Sequence, residues 1–254
     1  MKNSILFIAC IGMISFFWSC NATTESETNT PINTKPVNEE VTTPLVKSVM
    51  TAEKQSELTP EEVLNMFKEG NERFMKNELT NRDLPAQVKA TSSGQYPKAI
   101  VLSCVDSRVP VENVLDVGIG DIFVARVAGN FVNEDILGSM EFATKVAGSK
   151  LVVVMGHEHC GAVKAAIDDV VLGNITGLLA KIKPAVDAVP GFENKRTSKD
   201  QEFVASVVGS NVGNTINEIR EKSPILKEME ENGEIKIVGG VYDLDTGKIE
   251  FMEM

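Results

Sequence analysis

The sequence predicts an α/β protein built on a mostly parallel sheet with helices on its faces. Two observations predict it. Three short runs, "KAIVLSC" (98–104), "DIFVARV" (121–127) and "KLVVVMGH" (150–157), are rich in β-branched residues and nearly continuously apolar, as strands buried on both faces are. Between and after them lie segments with helical caps and apolar residues at helical spacing, so strand and helix alternate along the chain.

From the N-terminus, Lys2 precedes the apolar run "ILFIACIGMISFFWSC", of roughly 16 residues, which is the length of a signal core and short for a membrane span. The run ends in Ser19-Cys20 and a polar tail follows at once. It resembles a bacterial lipoprotein signal, which implies removal of residues 1–19 and lipidation of Cys20, although Phe17-Trp18 depart from the usual residues before the cysteine. The expectation is an exported protein, in the periplasm or at the outer membrane, touching membrane only through that anchor. Residues 20–58 are rich in Thr, Asn, Glu and Pro and poor in aromatics, a composition that buries too little surface to offset chain entropy, so a disordered tether is expected.

A folded domain is expected over 59–254. Thr59 with Glu62 forms a capping box, Pro60 takes the first helical position, and Val63, Phe67 and Phe74 share one face of the helix that follows. In "NEDILGSMEFATKVAG", Asn133 caps a helix with acids in its first turn and Ile136, Met140 and Ala143 on one stripe. Further helices are predicted over "GAVKAAIDDVV", through "ITGLLAKIKPAVDAV" and over 199–222. The tail "EIKIVGGVYDLDTGKIEFME" reads as a strand, a turn at Asp245-Thr246-Gly247 and an edge strand.

Composition narrows the function. The 254 residues carry 25 basic and 36 acidic side chains, a formal charge of −11, which argues against nucleic acid as a partner and against an anionic membrane surface. There is no phosphate loop. The chain holds two histidines and four cysteines. Cys10 goes with the signal and Cys20 carries lipid, which leaves Cys104 and Cys160 in the folded part.

In parallel α/β sheets, chemistry collects at the carboxyl ends of the strands. Cys104 ends the first strand, His157 ends "KLVVVMGH", and Cys160 lies three residues further on, at the turn into the next helix. The three can converge on one point, and two thiolates with one imidazole are the ligand set of a catalytic zinc, one per chain. His159, next to Cys160, then faces solvent or a neighbouring subunit. The alternative is a Cys104–Cys160 disulfide, since exported proteins meet oxidising surroundings. After Cys104 comes "VDSRV": Asp106 is placed to bind the metal or to hydrogen-bond its water, and Arg108 to hold that carboxylate ionised. A plain surface salt bridge is the other reading of that pair.

"SCVDSRVP", "GDIFVARVAGNFV", "SMEFA" and "GHEHCGAV", in this order, resemble the beta-class carbonic anhydrases from about residue 60 onward. The resemblance implies four parallel strands extended by an antiparallel edge strand. It implies that Cys104, His157 and Cys160 are zinc ligands, and that Asp106 and Arg108 are the catalytic dyad, Asp106 also being able to close the site as a fourth ligand. The reaction it implies is reversible hydration of carbon dioxide to bicarbonate and a proton, by attack of zinc-bound hydroxide. It further implies a homodimer or a dimer of dimers, with the Thr59-capped helix against the partner. Two departures stand out. Val117 and Gly118 occupy the segment where many relatives carry a substrate-orienting glutamine. Val101 stands where some carry the tryptophan of a regulatory bicarbonate site, although Arg126 matches its arginine. Hydrolysis of carbonyl sulfide or carbon disulfide on the same metal, and non-catalytic zinc or anion binding, are the rival functions.

Overall fold

The structure, a computed structural model, describes residues 45–252. The expected signal segment, Cys20 and the first part of the expected tether lie outside the described residues. The later part of that tether departs from expectation because it is ordered. Helix α1 (Ala52–Glu57) is capped by Thr51. Its buried Gln55 donates to the carbonyls of Pro97 at 2.7 Å and Ala147 at 2.8 Å. Val46 bridges to Arg82 nearby. A polar composition hides this, because one well-placed amide does the anchoring that a row of apolar residues would otherwise do.

Helix α2 (Pro60–Met75) begins with the capping box, in which Thr59 accepts from the Glu62 N–H and Glu62 accepts from the Thr59 N–H. It buries Val63, Leu64 and Phe67 against the chain's own sheet. Helix α3 (Leu84–Thr91) is capped by Asp83 and leads into strand β1 (Ala99–Ser103). Then follow the short α4 (Val111–Val114), β2 (Ile122–Arg126) and α5 (Glu134–Glu141), which is capped by Asn133 and runs on as a π-helical turn over Phe142–Val146. Strand β3 (Leu151–His157) comes next. Helices α6 (Gly161–Ile167), α7 (Gly173–Leu179), α8 (Lys183–Ala188), α9 (Gln201–Lys222) and α10 (Pro224–Glu231) precede β4 (Lys236–Tyr242) and β5 (Ile249–Met252).

The sheet order is β2-β1-β3-β4-β5. The first four strands are parallel and β5 runs antiparallel to β4. Along β1 and β3 every residue is buried, with alternate side chains feeding two cores. Ala99, Val101, Leu151 and Val153 meet α2 and α4 on one face, while Ile100, Leu102, Val152 and Val154 meet α5, α9 and α10 on the other. At Gly156 a side chain would strike Val212 of α9 at 2.8 Å, so this glycine lets α9 lie close beneath the end of β3.

Two further expectations are corrected. The run "DIFVARV" reads as a doubly buried strand, but β2 is an edge strand, half-exposed along its length. An apolar run has the same pattern whether one neighbour or two pair with it. The segment "ITGLLAKIKPAVDAV" is two helices, because Pro184 lacks the N–H that would continue α7 and sits instead in the first turn of α8. Between them Ile182 is fully buried.

Candidate metal centre

The parallel register aligns the ends of β1 and β3, so the residue after β1 and the last residue of β3 emerge side by side. Cys104 and His157 occupy those places, and Cys160 stands at the N-cap of α6. All three are buried, and their ligand atoms lie within 4.8 Å of one another. The two sulfurs are 4.0 Å apart and neither cysteine is in a disulfide, so the disulfide alternative falls. Two thiolates at about 2.3 Å from one tetrahedral zinc stand roughly 3.8 Å from each other, close to what is seen here.

The histidine supplies a second test of fit. Its Nδ1 lies 2.8 Å from the carbonyl oxygen of Glu158. A carbonyl only accepts, so Nδ1 carries the proton and Nε2 presents its lone pair. That Nε2 is buried and has no hydrogen-bond partner. A buried lone pair left unsatisfied costs about 1–3 kcal/mol unless something else uses it, and here it faces two sulfurs. The sulfurs are themselves prepared. The Gly129 N–H donates to Cys104 Sγ at 3.4 Å. The backbone N–H groups of Val163 and Ala162 favour the thiolate of Cys160. The neighbouring Cys160 S–H, with the Gly129 N–H, draws Cys104 down against the effect of burial, and the Cys104 thiolate in turn pushes Cys160 up. A dication relieves that conflict by letting both sulfurs be thiolates.

Asp106 lies beside this group. Its Oδ2 is 3.8 Å from His157 Nε2. Arg108 grips it from the other side, Nε donating to Oδ1 at 2.9 Å and Nη2 to Oδ2 at 2.7 Å, with the Arg108 backbone N–H also on Oδ1 at 2.9 Å. This fork, helped by the Arg108 backbone N–H and opposed by burial, holds the carboxyl well below the usual carboxylate range. The loop is strapped by Arg126, which the sequence offered only as a match to a regulatory site. Its Nε donates to the Cys104 carbonyl at 2.8 Å and its Nη2 to the Asp106 carbonyl at 2.6 Å.

The other residues singled out from sequence lie elsewhere. His159 has φ +53° and is half-buried, outside the three-ligand group. Phe123 and Val124 of the second strand line a groove on the β2 edge with Ile136 and Phe142. Gly118 packs against Arg82 and the Gln87 amide, whose Oε1 already accepts from the Ile119 N–H at 3.2 Å. Gly129 has φ +81°, and its close neighbour is Ile182 of the same chain, which a side chain would strike at 2.4 Å.

Two sulfurs, one imidazole nitrogen and a clamped carboxylate at the carboxyl edge of a parallel sheet define a class: an α/β protein with the donor set of a mononuclear metal enzyme. Comparison with known proteins makes that class specific. A carbonic anhydrase family model matches residues 99–249. Carbonic anhydrase 2 of Mycobacterium tuberculosis is 34% identical over 185 residues, covering 72% of this chain and 87% of that protein. The carbonic anhydrase of Mycolicibacterium smegmatis is 32% identical over 190 residues, covering 72% and 89%. Among solved structures, the beta-carbonic anhydrase CafA of Aspergillus fumigatus is 25% identical with a TM-score of 0.57, covering 76% of this chain and 89% of that one. One of two tetrameric beta-carbonic anhydrases from Sordaria macrospora shares the fold, at 24% identity and a TM-score of 0.57, covering 66% and 86%. The chain belongs to the carbonic anhydrase family, in its beta class, and it is an enzyme of carbon dioxide hydration.

Proposed function

We propose that this chain performs reversible hydration of carbon dioxide with one zinc ion held by Cys104, His157 and Cys160, and with Asp106 and Arg108 as its catalytic residues. The observation that carries the reading is the buried, partnerless His157 Nε2 facing two unbonded sulfurs within 4.8 Å. Bound there, zinc supplies a water whose pKa is lowered from 15.7 to about 7. The chain's own groups do the rest. Asp106, held ionised by the Arg108 fork, accepts a hydrogen bond from the attacking oxygen at Oδ2 and so aims its lone pair at the carbon of the substrate. Arg108 keeps both carboxylate oxygens engaged, which favours the dyad over Asp106 as a fourth metal ligand. Arg126 keeps the Cys104 and Asp106 carbonyls tied together, fixing the acid relative to the ligand.

The same reading takes the working unit to be a homodimer or a dimer of dimers, in keeping with the tetrameric Sordaria relative. It takes the enzyme to be exported and anchored through lipidated Cys20, on the strength of the apolar run ending in Ser19-Cys20.

Stopped-flow hydration of carbon dioxide, run beside assays for carbonyl sulfide and carbon disulfide hydrolysis, tests the function. Hydration at neutral pH and above, as the dominant activity, is expected. Sulfur-substrate hydrolysis without hydration would transfer the site to that chemistry, and zinc with no turnover would make the protein a binder.

A further inference from the structure

Asn211 stands in the middle of α9, on a buried face made mostly of apolar side chains, Phe203, Val204, Val207, Val208, Val212 and Ile216 among them, with Thr215 the other polar residue. It is 1% exposed. Burying an amide among apolar groups costs about 1–3 kcal/mol unless it is paired, and Asn211 is only half-paired, since its Oδ1 has no partner. A leucine of similar size would suit that face better. What Asn211 does make is one bond: its Nδ2 donates to the carbonyl of Gly129 at 2.8 Å.

Gly129 is the third residue of a tight turn closed by the Asn130 N–H on the Val127 carbonyl at 2.9 Å. Its φ of +81° is the conformation such a turn demands at that place, and the Ile182 contact leaves no room for a side chain. In this turn the Gly129 N–H points outward, and it meets Cys104 Sγ at 3.4 Å. Asn211 thus pins the carbonyl side of the residue whose N–H side holds a ligand sulfur. No side chain at 129 can do this, and among the described residues no other side-chain hydrogen bond to the Gly129 carbonyl is present.

We propose that Asn211 is a positioning residue for the metal centre: through Gly129 it fixes the N–H that orients Cys104 Sγ. This rests on the zinc reading above, and it goes beyond it by assigning the buried face of α9 a part in the site. The bond matters because an N–H aimed at a ligand sulfur sets both its direction and its donor strength, and loss of such outer partners typically weakens metal binding by about 10- to 100-fold.

The test replaces the native metal with Co²⁺, whose sulfur-to-metal charge-transfer band reports the thiolates directly, and measures zinc affinity by chelator competition. Asn211→Leu removes the bond at similar volume, Asn211→Ala does so if leucine does not fold, and Thr215→Val is the control. Thr215 is a buried residue four positions along α9 whose hydroxyl also lacks a partner. The expected result is a folded Asn211 variant with a shifted charge-transfer band and zinc affinity down about 10- to 100-fold, while Thr215→Val keeps the wild-type band and affinity. An unshifted band and unchanged affinity in either folded Asn211 variant would overturn the proposal alone. The same shift in Thr215→Val would overturn it too, by making the effect one of general packing. A wild-type protein with no charge-transfer band would remove the metal reading itself, and this inference with it.

Discussion

Asp116 and His157 are both buried ionisable side chains, yet their surroundings differ in kind. Every part of the Asp116 carboxylate is used. Its Oδ2 accepts from Arg73 Nε at 2.6 Å and Thr80 Oγ1 at 2.7 Å, and its Oδ1 accepts from the Thr80 N–H at 3.1 Å and from Arg82. Arg82 also reaches the Asp116 backbone carbonyl. His157 is satisfied on one nitrogen and bare on the other. A closed network of this sort ties α2 and the loop after it to the end of α4. An open one holds a vacancy in bonding that only a ligand resolves. The difference teaches that what marks the site is an unmet lone pair converging with two thiols, where the structural cluster has every oxygen of its charged group engaged.

The contrast can be broken in four ways, of decreasing size. Cys104→Ser exchanges a soft ligand for a poor one, and activity should fall at least about 100-fold with loss of bound zinc, read by stopped flow and metal analysis. Retained zinc with full activity would remove Cys104 from the site. Asp116→Asn should leave zinc content unchanged and destabilise the fold by about 3 kcal/mol, since two arginines lose their shared anion; urea unfolding measures it. If instead it stripped the metal, the two clusters would not be separate in function. Asp106→Asn removes charge at the site without removing a ligand, so zinc and melting temperature should hold while turnover drops on the order of 100-fold. Thr59→Ala, far from either cluster, opens only the capping box and should cost about 1 kcal/mol with normal turnover.

The pH response sharpens the same contrast. Burial pushes the Asp116 pKa up, but hydrogen bonds from Arg82, Arg73 and Thr80 outweigh it and the net shift is downward. A carboxyl whose folded-state pKa is depressed stabilises the fold fully above its unfolded value of about 3.9 and loses that contribution as pH falls through the folded value. The wild type should therefore lose stability on acidification below about pH 4 more steeply than Asp116→Asn, as seen by acid unfolding. Parallel curves would mean that the network adds nothing by ionisation.

Much of this was legible in sequence, and the reasons are local. The capping box of Thr59 and Glu62 is a short-range pattern, and β1 and β3 announce themselves because strands covered on both faces need unbroken apolar runs. Cys104, His157 and Cys160 could be grouped because each closes or follows a strand, and strand ends in a parallel sheet converge. What was not legible depends on partners distant in the chain. Gln55 anchors α1 through carbonyls at Pro97 and Ala147, and nothing near residue 55 encodes them. The edge position of β2 is a property of the sheet, not of "DIFVARV". Arg126 straps the Cys104–Asp106 loop from a neighbouring strand, and Asn211 reaches Gly129 from a helix 82 residues away in the chain.

The central claim is that Cys104, His157 and Cys160 hold the zinc on which hydration depends. The most direct measurement is zinc per chain and carbon dioxide hydration on the same purified samples of wild type and Cys160→Ser. About one zinc per wild-type chain with fast hydration, both lost in the variant while the fold is kept, is the result expected. A wild type that hydrates carbon dioxide without zinc, or a Cys160→Ser protein that retains both metal and turnover, would contradict it.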